Sequence, residues 1–490
     1  MLGAIVGDIV GSRFEFNNHK SKDFDLFTDQ CFVTDDSIMT LAIAKALMET
    51  VKAESALFHH FKDSFYRRLS QAAIHFMQSI GRPYPSCGYG GRFHQWIYSD
   101  RPEAYNSYGN GAAMRVSAAG LFAVRPKELV LLAKAVTAVT HNHPEGIKGA
   151  EATALAICMA KKGALKEEIR ERISQDYYPL DFTVDAIRPS YRFNETCQKT
   201  VPQAMACFLE SESFEDAIRT AISIGGDSDT VAAITGSIAE AYYGVPDPIR
   251  KQALAFLDPK LRALFDEWEA FCPPDVQPHR LMTRYLGRLD EDLDLDSPWI
   301  DTMLKDWHAA GLMDTDYREH MKELGVRELP GHALRLDQEA LKADSIRTLI
   351  TMAFRHEYLV EGALEDYLRT GALTRWLKRL KNLDRQDGTR SLLGLEIAWP
   401  GMDRPRQIFF DPGDVRALEI DRDYLAYWLA DYGNTVGAYK PGWFLTAAFD
   451  DGYCFYSQGQ DAYPPGWDHF LDLLGLPAAG GKTEEGKDHV

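Results

Sequence analysis

The sequence predicts a mainly α protein: an all-helical bundle over residues 1–273, followed by a smaller α+β accessory region. Three observations point this way. Apolar residues recur at helical spacing through most of the first half, glycine, proline and aspartate punctuate those runs, and no alternation of apolar and polar residues marks a strand there. With 490 residues, 45% hydrophobic and 26% charged, the chain can bury the cores of two or three domains.

The helical runs follow in order. "SIMTLAIAKALMETV" begins at Ser37, "GAAMRVSAAGLFAV" at Gly111, "KELVLLAKAVTAVTH" at Lys127, "GIKGAEATALAICMAKKG" at Gly146 and "FEDAIRTAISIG" at Phe214. Several carry Ala, Gly, Ser and Thr on more than one face, as close-packed helices in the middle of a helical domain do, and helices laid on a sheet do not. Pro273 and Pro274 mark the expected boundary. Residues 280–385 continue as charged amphipathic helices. Residues 390–475 contain short β-branched and aromatic runs, "SLLGLEIAWPG", "RQIFFDP" and "GWFLTAAFDDGYCFYS", expected to form a small sheet. The tail, 476–490, is polar and glycine-rich and is expected to be disordered.

Composition excludes several classes of function. No apolar run approaches the ~20 residues needed to span a bilayer, and the amino terminus lacks the pattern of a secretory signal, so a cytoplasmic protein without a membrane partner is expected. The seven cysteines are scattered and never spaced Cys-x-x-Cys, which disfavours a disulfide framework and a structural zinc site. A net charge of -18 argues against general nucleic-acid binding. Part of that charge sits in "LDEDLDLDSPWID" around Asp290 to Asp301, where Leu295 stands in place of the glycine a calcium loop requires; the stretch reads as a solvated linker.

Two clusters carry the chemistry. Thr34-Asp35-Asp36 precedes the run that begins at Ser37, and Asp227-Ser228-Asp229-Thr230 precedes "VAAITGSIAEAYYG". Each reads as a helix cap, because hydroxyls and acids are favoured at a helix start. Each also reads as half of a metal site, because a cap needs one oxygen and each cluster supplies two carboxylates and a hydroxyl. Facing each other, four carboxylates would need cations to offset their repulsion. Hard oxygen ligands without cysteine select Mg²⁺ or Mn²⁺.

"GAIVGDIVGSRFEF", "TDDS", "SYGNGAAMRV", "THNHPEGIKGAEA" and "GGDSDTVAAITGSIAEAYYG" occur in the order found in the ADP-ribosylglycohydrolase family, which the first 55% or so of the chain resembles. The resemblance implies a helical domain that holds two Mg²⁺ ions in a cleft for ADP-ribose. It implies Thr34, Asp35, Asp36, Asp227, Asp229 and Thr230 as metal ligands, and Glu15 as an acid near the metals, serving as base, ligand or gate. Ser228 stands where the family commonly has threonine and keeps the hydroxyl. Glu15, Asp36 and Asp229 are the expected catalytic residues, since cleavage at the ribosyl C1″ passes through oxocarbenium character that carboxylates shield. The ribose diol would rest on the ions.

For the pyrophosphate, Ser107, Gly109, Asn110 and Gly111 offer a glycine turn whose amides can approach phosphate oxygens, although such a turn is often only a turn. Arg115 reads as a ligand contact or a buried ion pair. His141 and His143 form a His-x-His pair without a third metal ligand nearby; His141 reads as a ligand contact or a satisfied structural histidine. "GYGGRFHQWI" from Gly88 reads as a lid or a surface connection. The function expected is Mg²⁺-dependent hydrolysis of the bond between ADP-ribose and an acceptor, arginine on protein first among them. Another ADP-ribose conjugate, or a non-catalytic ADP-ribose-binding or toxin-neutralising role, is the alternative.

Overall fold

A computed structural model of the chain describes residues 1–54, 61–272, 279–286, 288–289, 298–309, 312–327, 333, 335–360, 362–384, 392–400, 402, 404–411, 414–421, 425, 431–432, 443–449, 454–459, 463–464 and 467–476. The Pro273-Pro274 boundary, the acidic stretch 290–297 and the tail from 477 onward lie outside them. The chain divides into two compact units, Met1–Val276 and Gln277–Val490.

The described part of the first unit is helical apart from one isolated bridge, Gly109 to Thr196. Its centre is the helix Ser228–Tyr243, in which every residue but Glu240 and Tyr243 is buried. Around it pack Leu2–Gly11, Pro144–Lys161, Cys197–Leu209 and Phe214–Ser223. Leu2–Gly11 is itself buried along its whole length. A helix surrounded on all sides must be small or apolar on all sides, which is how both sequences read.

What lets the two innermost helices meet is glycine at every fourth position of the first. A Cβ on Gly3 would lie 2.0 Å from the Gly236 carbonyl oxygen, one on Gly7 2.1 Å from the Ala232 carbonyl oxygen, and one on Gly11 2.4 Å from the Asp229 Cα. Backbone therefore rests on backbone along the whole contact. Glu240 closes the far end, accepting hydrogen bonds from the amides of Leu2 (3.2 Å) and Gly3 (2.8 Å) that a helix start leaves unpaired. This packing sets Asp8 and Asp229 against each other at the near end.

The second unit begins with helices, among them Pro298–Ala309, Ala343–Leu359 and Ala372–Asp384. A sheet of five strands follows: β1 (Leu392–Ala398), β2 (Arg406–Phe409), β3 (Asp431–Tyr432), β4 (Trp443–Phe449) and β5 (Cys454–Gly459), in the order β2-β1-β4-β5-β3. The pairs are antiparallel except β3 with β5. Leu395, Ile397, Leu445 and Ala447 of the two central strands pack with Ile420, Phe470 and Leu471 into a separate core. The helical and strand-bearing stretches thus fall within one unit.

The glycine contact makes a sharp expectation. Gly7→Ala drives a methyl group into backbone and is expected to cost about 1–3 kcal/mol in urea unfolding, as overpacking does. Gly90→Ala, where a Cβ meets nothing within 4 Å, is the control and stays within about 0.5 kcal/mol of the parent. Equal stability of the two variants would show that the first helix is not held by close approach.

Candidate metal centre and ligand cleft

The helices Asp35–Lys52 and Ser228–Tyr243 start side by side, so the first-turn acids of both lie at the positive end of a helix dipole. Carboxylate oxygens of Asp8, Asp36 and Asp229 lie within 4.8 Å of one another, as do those of Glu15, Asp227 and Asp229, with Asp229 common to both groups. The structure thus brings together Glu15, Asp36, Asp227 and Asp229 from segments about two hundred residues apart. Asp35 belongs to neither group, yet lies close enough for Asp8, Asp227 and Glu15 to oppose its ionisation.

Cap and metal readings prove compatible at the first cluster. Thr34 is the N-cap, its Oγ1 accepting from the Asp36 amide at 3.3 Å, while its hydroxyl proton goes to Asp8 Oδ1 at 2.5 Å. Thr230 likewise donates its hydroxyl to Asp36 Oδ2 at 3.2 Å. Both hydroxyl protons being committed to carboxylates, remaining oxygen lone pairs are available to a cation. Asp227 is an N-cap by position but its side chain caps nothing; its Oδ2 accepts from Asn110 Nδ2 at 2.7 Å. Asp36 Oδ1 is buried and has no hydrogen-bond partner among the described residues. A buried carboxylate oxygen left bare is costly unless a cation meets it, so the donor set fits a hard divalent ion.

Asp8 was not singled out by the sequence reading. Fully buried in the first helix, it accepts from the Thr34 amide (3.1 Å), the Thr34 hydroxyl, the Ser37 amide (3.1 Å) and the Ser37 hydroxyl. Three of these bonds fall on Oδ2, leaving only part of Oδ1 free. Its main work is therefore to fasten the Thr34–Ser37 turn to the first helix. The one available signal was a lone acid inside "GAIVGDIVG", an apolar helix where a charge needs a reason.

All these acids resist ionisation. Burial, offset in part by its hydrogen bonds, raises Asp8 to about 6. Burial and the neighbouring charges of Asp227, Asp8 and Glu195 raise Glu15 to about 7, and burial with Asp8 and Asp227 raises Asp35 to about 8. Asp36, Asp227 and Asp229 are pushed up as well, burial leading in each case.

Two glycines hold the second cluster in place. Gly225 and Gly226 have φ of +66° and +81°, left-handed values that turn the chain into Asp227. The Gly226 amide donates to Asn18 Oδ1 at 3.0 Å, and Lys20 Nζ binds the carbonyls of Tyr191 (2.8 Å) and Ile224. The segment that carries Glu15 is thereby tied to the loop that carries Asp227.

The glycine turn departs from expectation. The Gly109 amide donates to Ser107 Oγ at 3.2 Å and the Asn110 amide to the Glu195 carbonyl at 2.7 Å, so neither is open to a phosphate as the structure stands. The Asn110 side chain serves Asp227 and Thr200 instead. The helix that follows, Gly111–Met114, is a single turn. What the turn offers is its bare glycine faces, opposite His141: Cβ atoms on Gly111 and Gly109 would lie 3.4 Å and 3.5 Å from His141 Nε2. His143 is a cap, its Nδ1 accepting from the Glu145 amide at 3.1 Å, which disposes of a His-x-His metal pair. Arg115 is buried, and among the described residues no carboxylate pairs with it, contrary to the ion-pair reading. Gly88, at φ +114°, packs its Cα face on the Asp35 carboxylate, where a Cβ would meet Oδ1 at 2.8 Å.

Comparison with known proteins places this geometry. Residues 1–272 match the family model described as ADP-ribosylglycohydrolase. The chain is similar to the ADP-ribosylhydrolase ARH3 of Xenopus tropicalis, 24% identical over 309 residues that cover 50% of this chain and 86% of the relative. It is also similar to the ADP-ribosylarginine hydrolase Tri1 of Pseudomonas putida (strain GB-1), 27% identical over 290 residues that cover 54% and 76%. Among solved structures, a chain of an "ADP-ribosylglycohydrolase-related protein complex" covers 54% of this chain and 94% of its own length at 23% identity and a TM-score of 0.39.

The raised carboxylates fix how the ion-free protein responds to pH. Unfolded, these acids have ordinary values of 3.8 to 4.5; folded, Asp8, Glu15 and Asp35 hold protons up to about 6, 7 and 8. The folded state therefore binds more protons across this window, and stability must fall as pH rises through it. Thermal melts of chelator-treated protein are expected to give a higher Tm near pH 5.5 than near pH 8, with Mg²⁺ raising Tm most at the higher pH because binding needs ionised ligands. A chelated protein most stable near pH 8 would contradict the convergence of acids.

Proposed function

Because the chain belongs to the ADP-ribosylglycohydrolase family, we propose that it is a Mg²⁺-dependent hydrolase that releases ADP-ribose from a modified acceptor, ADP-ribosyl-arginine on protein first among them. The observation that carries the metal-dependent reading is the convergence of Asp36, Asp227, Asp229 and Glu15, with Asp36 Oδ1 buried and without a hydrogen-bond partner among the described residues. The arginine acceptor rests on the similarity to Tri1, whose name states that substrate.

In this reading Thr34, Asp35, Asp36, Asp227, Asp229 and Thr230 hold two ions, Mg²⁺ or in its place Mn²⁺. When bound, the ions supply charge to the ribose diol and lower the pKa of a water. The chain supplies the rest. Asn110 fixes Asp227, and Asp8 fixes the Thr34–Ser37 turn, so the ligands are set before substrate arrives. Glu15 lies half-buried with a carboxylate oxygen within 4.8 Å of those of Asp227 and Asp229, where it can take the proton of a water that attacks C1″ as the bond to the acceptor breaks. Asp36 and Asp229 face the positive charge that grows on the ribosyl ring. Ser107, Gly109, Asn110, Gly111 and His141 form the wall toward the pyrophosphate, with the glycine faces and His141 as the contact surface. No helix among the described residues is long and apolar enough to cross a membrane, and the acidic balance disfavours nucleic acid as a partner. We assign the activity to residues 1–273, and a chain ending between Cys272 and His279 is expected to retain it.

The test is release of ADP-ribose from proteins modified on arginine, and in parallel on serine, with Mg²⁺ and with chelator. Release from arginine is expected with Mg²⁺ only. Asp36→Asn and Asp229→Asn should each lower it by more than about a hundredfold, beyond what loss of an outer contact to a metal ligand costs. Release from serine alone would reassign the acceptor. Tight ADP-ribose binding without release from any conjugate would make the protein a binding module.

A further inference from the structure

Among the described residues Arg115 is the largest charged side chain that is buried completely, 1% exposed. One of its NH₂ groups donates to Thr140 Oγ1 at 2.6 Å and lies 3.4 Å from His141 Nδ1. Its guanidinium carbon sits 5.5 Å from the Phe93 ring centroid. Thr140 Oγ1 in turn lies 2.7 Å from His141 Nδ1 and 3.5 Å from the Thr137 carbonyl.

These distances decide where the protons go. A guanidinium only donates, so Thr140 Oγ1 accepts from Arg115. The single hydroxyl proton of Thr140 then has two places to go, and the contact to Thr137 is well beyond the 2.5–3.0 Å or so of a good O–H···O bond. His141 Nδ1 at 2.7 Å is the better acceptor. A proton on Nδ1 would also point at the N–H groups and the positive charge of Arg115. The lone pair of Nδ1 is therefore the group that belongs there, and the imidazole proton belongs on Nε2, the atom opposite the bare faces of Gly109 and Gly111.

We propose that Arg115 and Thr140 are positioning residues that hold His141 as a neutral imidazole with its proton on Nε2, making a fixed donor to an acceptor oxygen of the ADP-ribosyl group bound at the Gly109–Gly111 turn. This rests on the ADP-ribose reading for the ligand, but not for the tautomer. The surroundings agree. The charged and titratable groups nearest His141 are Arg115, Arg92 and Tyr105, and burial together with the two arginines holds its pKa well below the ordinary histidine value, so the donor does not switch on and off near neutrality. The arrangement also accounts for a turn whose own Gly109 and Asn110 amides are already paired: the hydrogen bond lacking there comes from the side chain across the glycines. A Cβ at either glycine would rest in van der Waals contact with the atom that makes it, in the space the acceptor oxygen needs.

The experiment uses the full chain labelled with ¹⁵N, in which the His141 imidazole is identified by its loss in His141→Gln and its two nitrogens are followed from about pH 5 to pH 8, the range in which an ordinary histidine titrates. Expected is an unprotonated Nδ1 and a protonated Nε2 throughout. Thr140→Val, which keeps the shape and removes the hydroxyl, is expected to mix the tautomers and weaken ADP-ribose binding about tenfold, the loss of roughly one good hydrogen bond. Thr140→Ser should restore both the spectrum and the affinity. A protonated Nδ1 in the parent protein overturns the proposal, as does a Thr140→Val variant with parental spectrum and affinity. Should the parent fail to bind ADP-ribose at all, the ligand reading falls, while the nitrogen spectrum still decides the tautomer.

Discussion

Carboxylate repulsion in a buried space is the constraint around which the first unit is organised. Asp8, Glu15, Asp35, Asp36, Asp227 and Asp229 influence one another's ionisation, and each is driven toward its neutral form. A protein gains nothing in stability from such a cluster, since burying like charges raises their energy and leaves the folded state weaker at neutral pH. Its presence is explained by what it can hold. The remainder of the fold reduces the cost of keeping it: two helix starts aim their dipoles at it, Asp8 receives four hydrogen bonds, and Asn110 and Thr230 each donate one to a carboxylate of the cluster.

The helix packing serves the same end. Glycines at positions 3, 7 and 11 let the first helix lie directly on Ser228–Tyr243, and the spacing of four keeps all three on one face. A wider separation would carry Asp8 and the turn it fastens away from Asp229. Sequence outside the acidic cluster thus sets the distance between its carboxylates. The second unit contributes a separate core built on β1 and β4.

The sequence revealed what is local. Helical spacing, the two hydroxyl-acid clusters and the small-residue character of the central helices are all properties of short windows, and the β-branched and aromatic runs near Leu392, Arg406 and Trp443 did become strands. What it hid depends on meetings between distant segments. Asp8 looks like an isolated acid until Thr34 and Ser37 arrive against it from more than twenty residues away. The amides of the glycine turn look free until Glu195 reaches Asn110. His141 and His143 look alike, two residues apart, and only the third dimension makes one a cap and sets the other against Arg115. The strand order β2-β1-β4-β5-β3 is likewise set by pairings between strands up to about fifty residues apart, which no periodicity encodes.

Function and stability meet in the link between the two clusters. Thr34, Asp35 and Asp36 stand almost two hundred residues from Asp227, Asp229 and Thr230, and direct contact between them is sparse, the Thr230 to Asp36 hydrogen bond being one such bond. An ion that binds both clusters binds the folded state and not the unfolded one, so at about a hundred times its dissociation constant it adds roughly 2.7 kcal/mol per independent site. That is a large share of the 5–15 kcal/mol or so by which proteins are stable at all. The same ion neutralises the repulsion that weakens the empty site, so its two effects have one sign. In the metal-bound reading proposed above, the acids stand where they oppose folding when bare and support it when loaded, and Glu15, half-buried beside Asp227 and Asp229 and with no hydrogen bond from the described residues, is left to handle a proton.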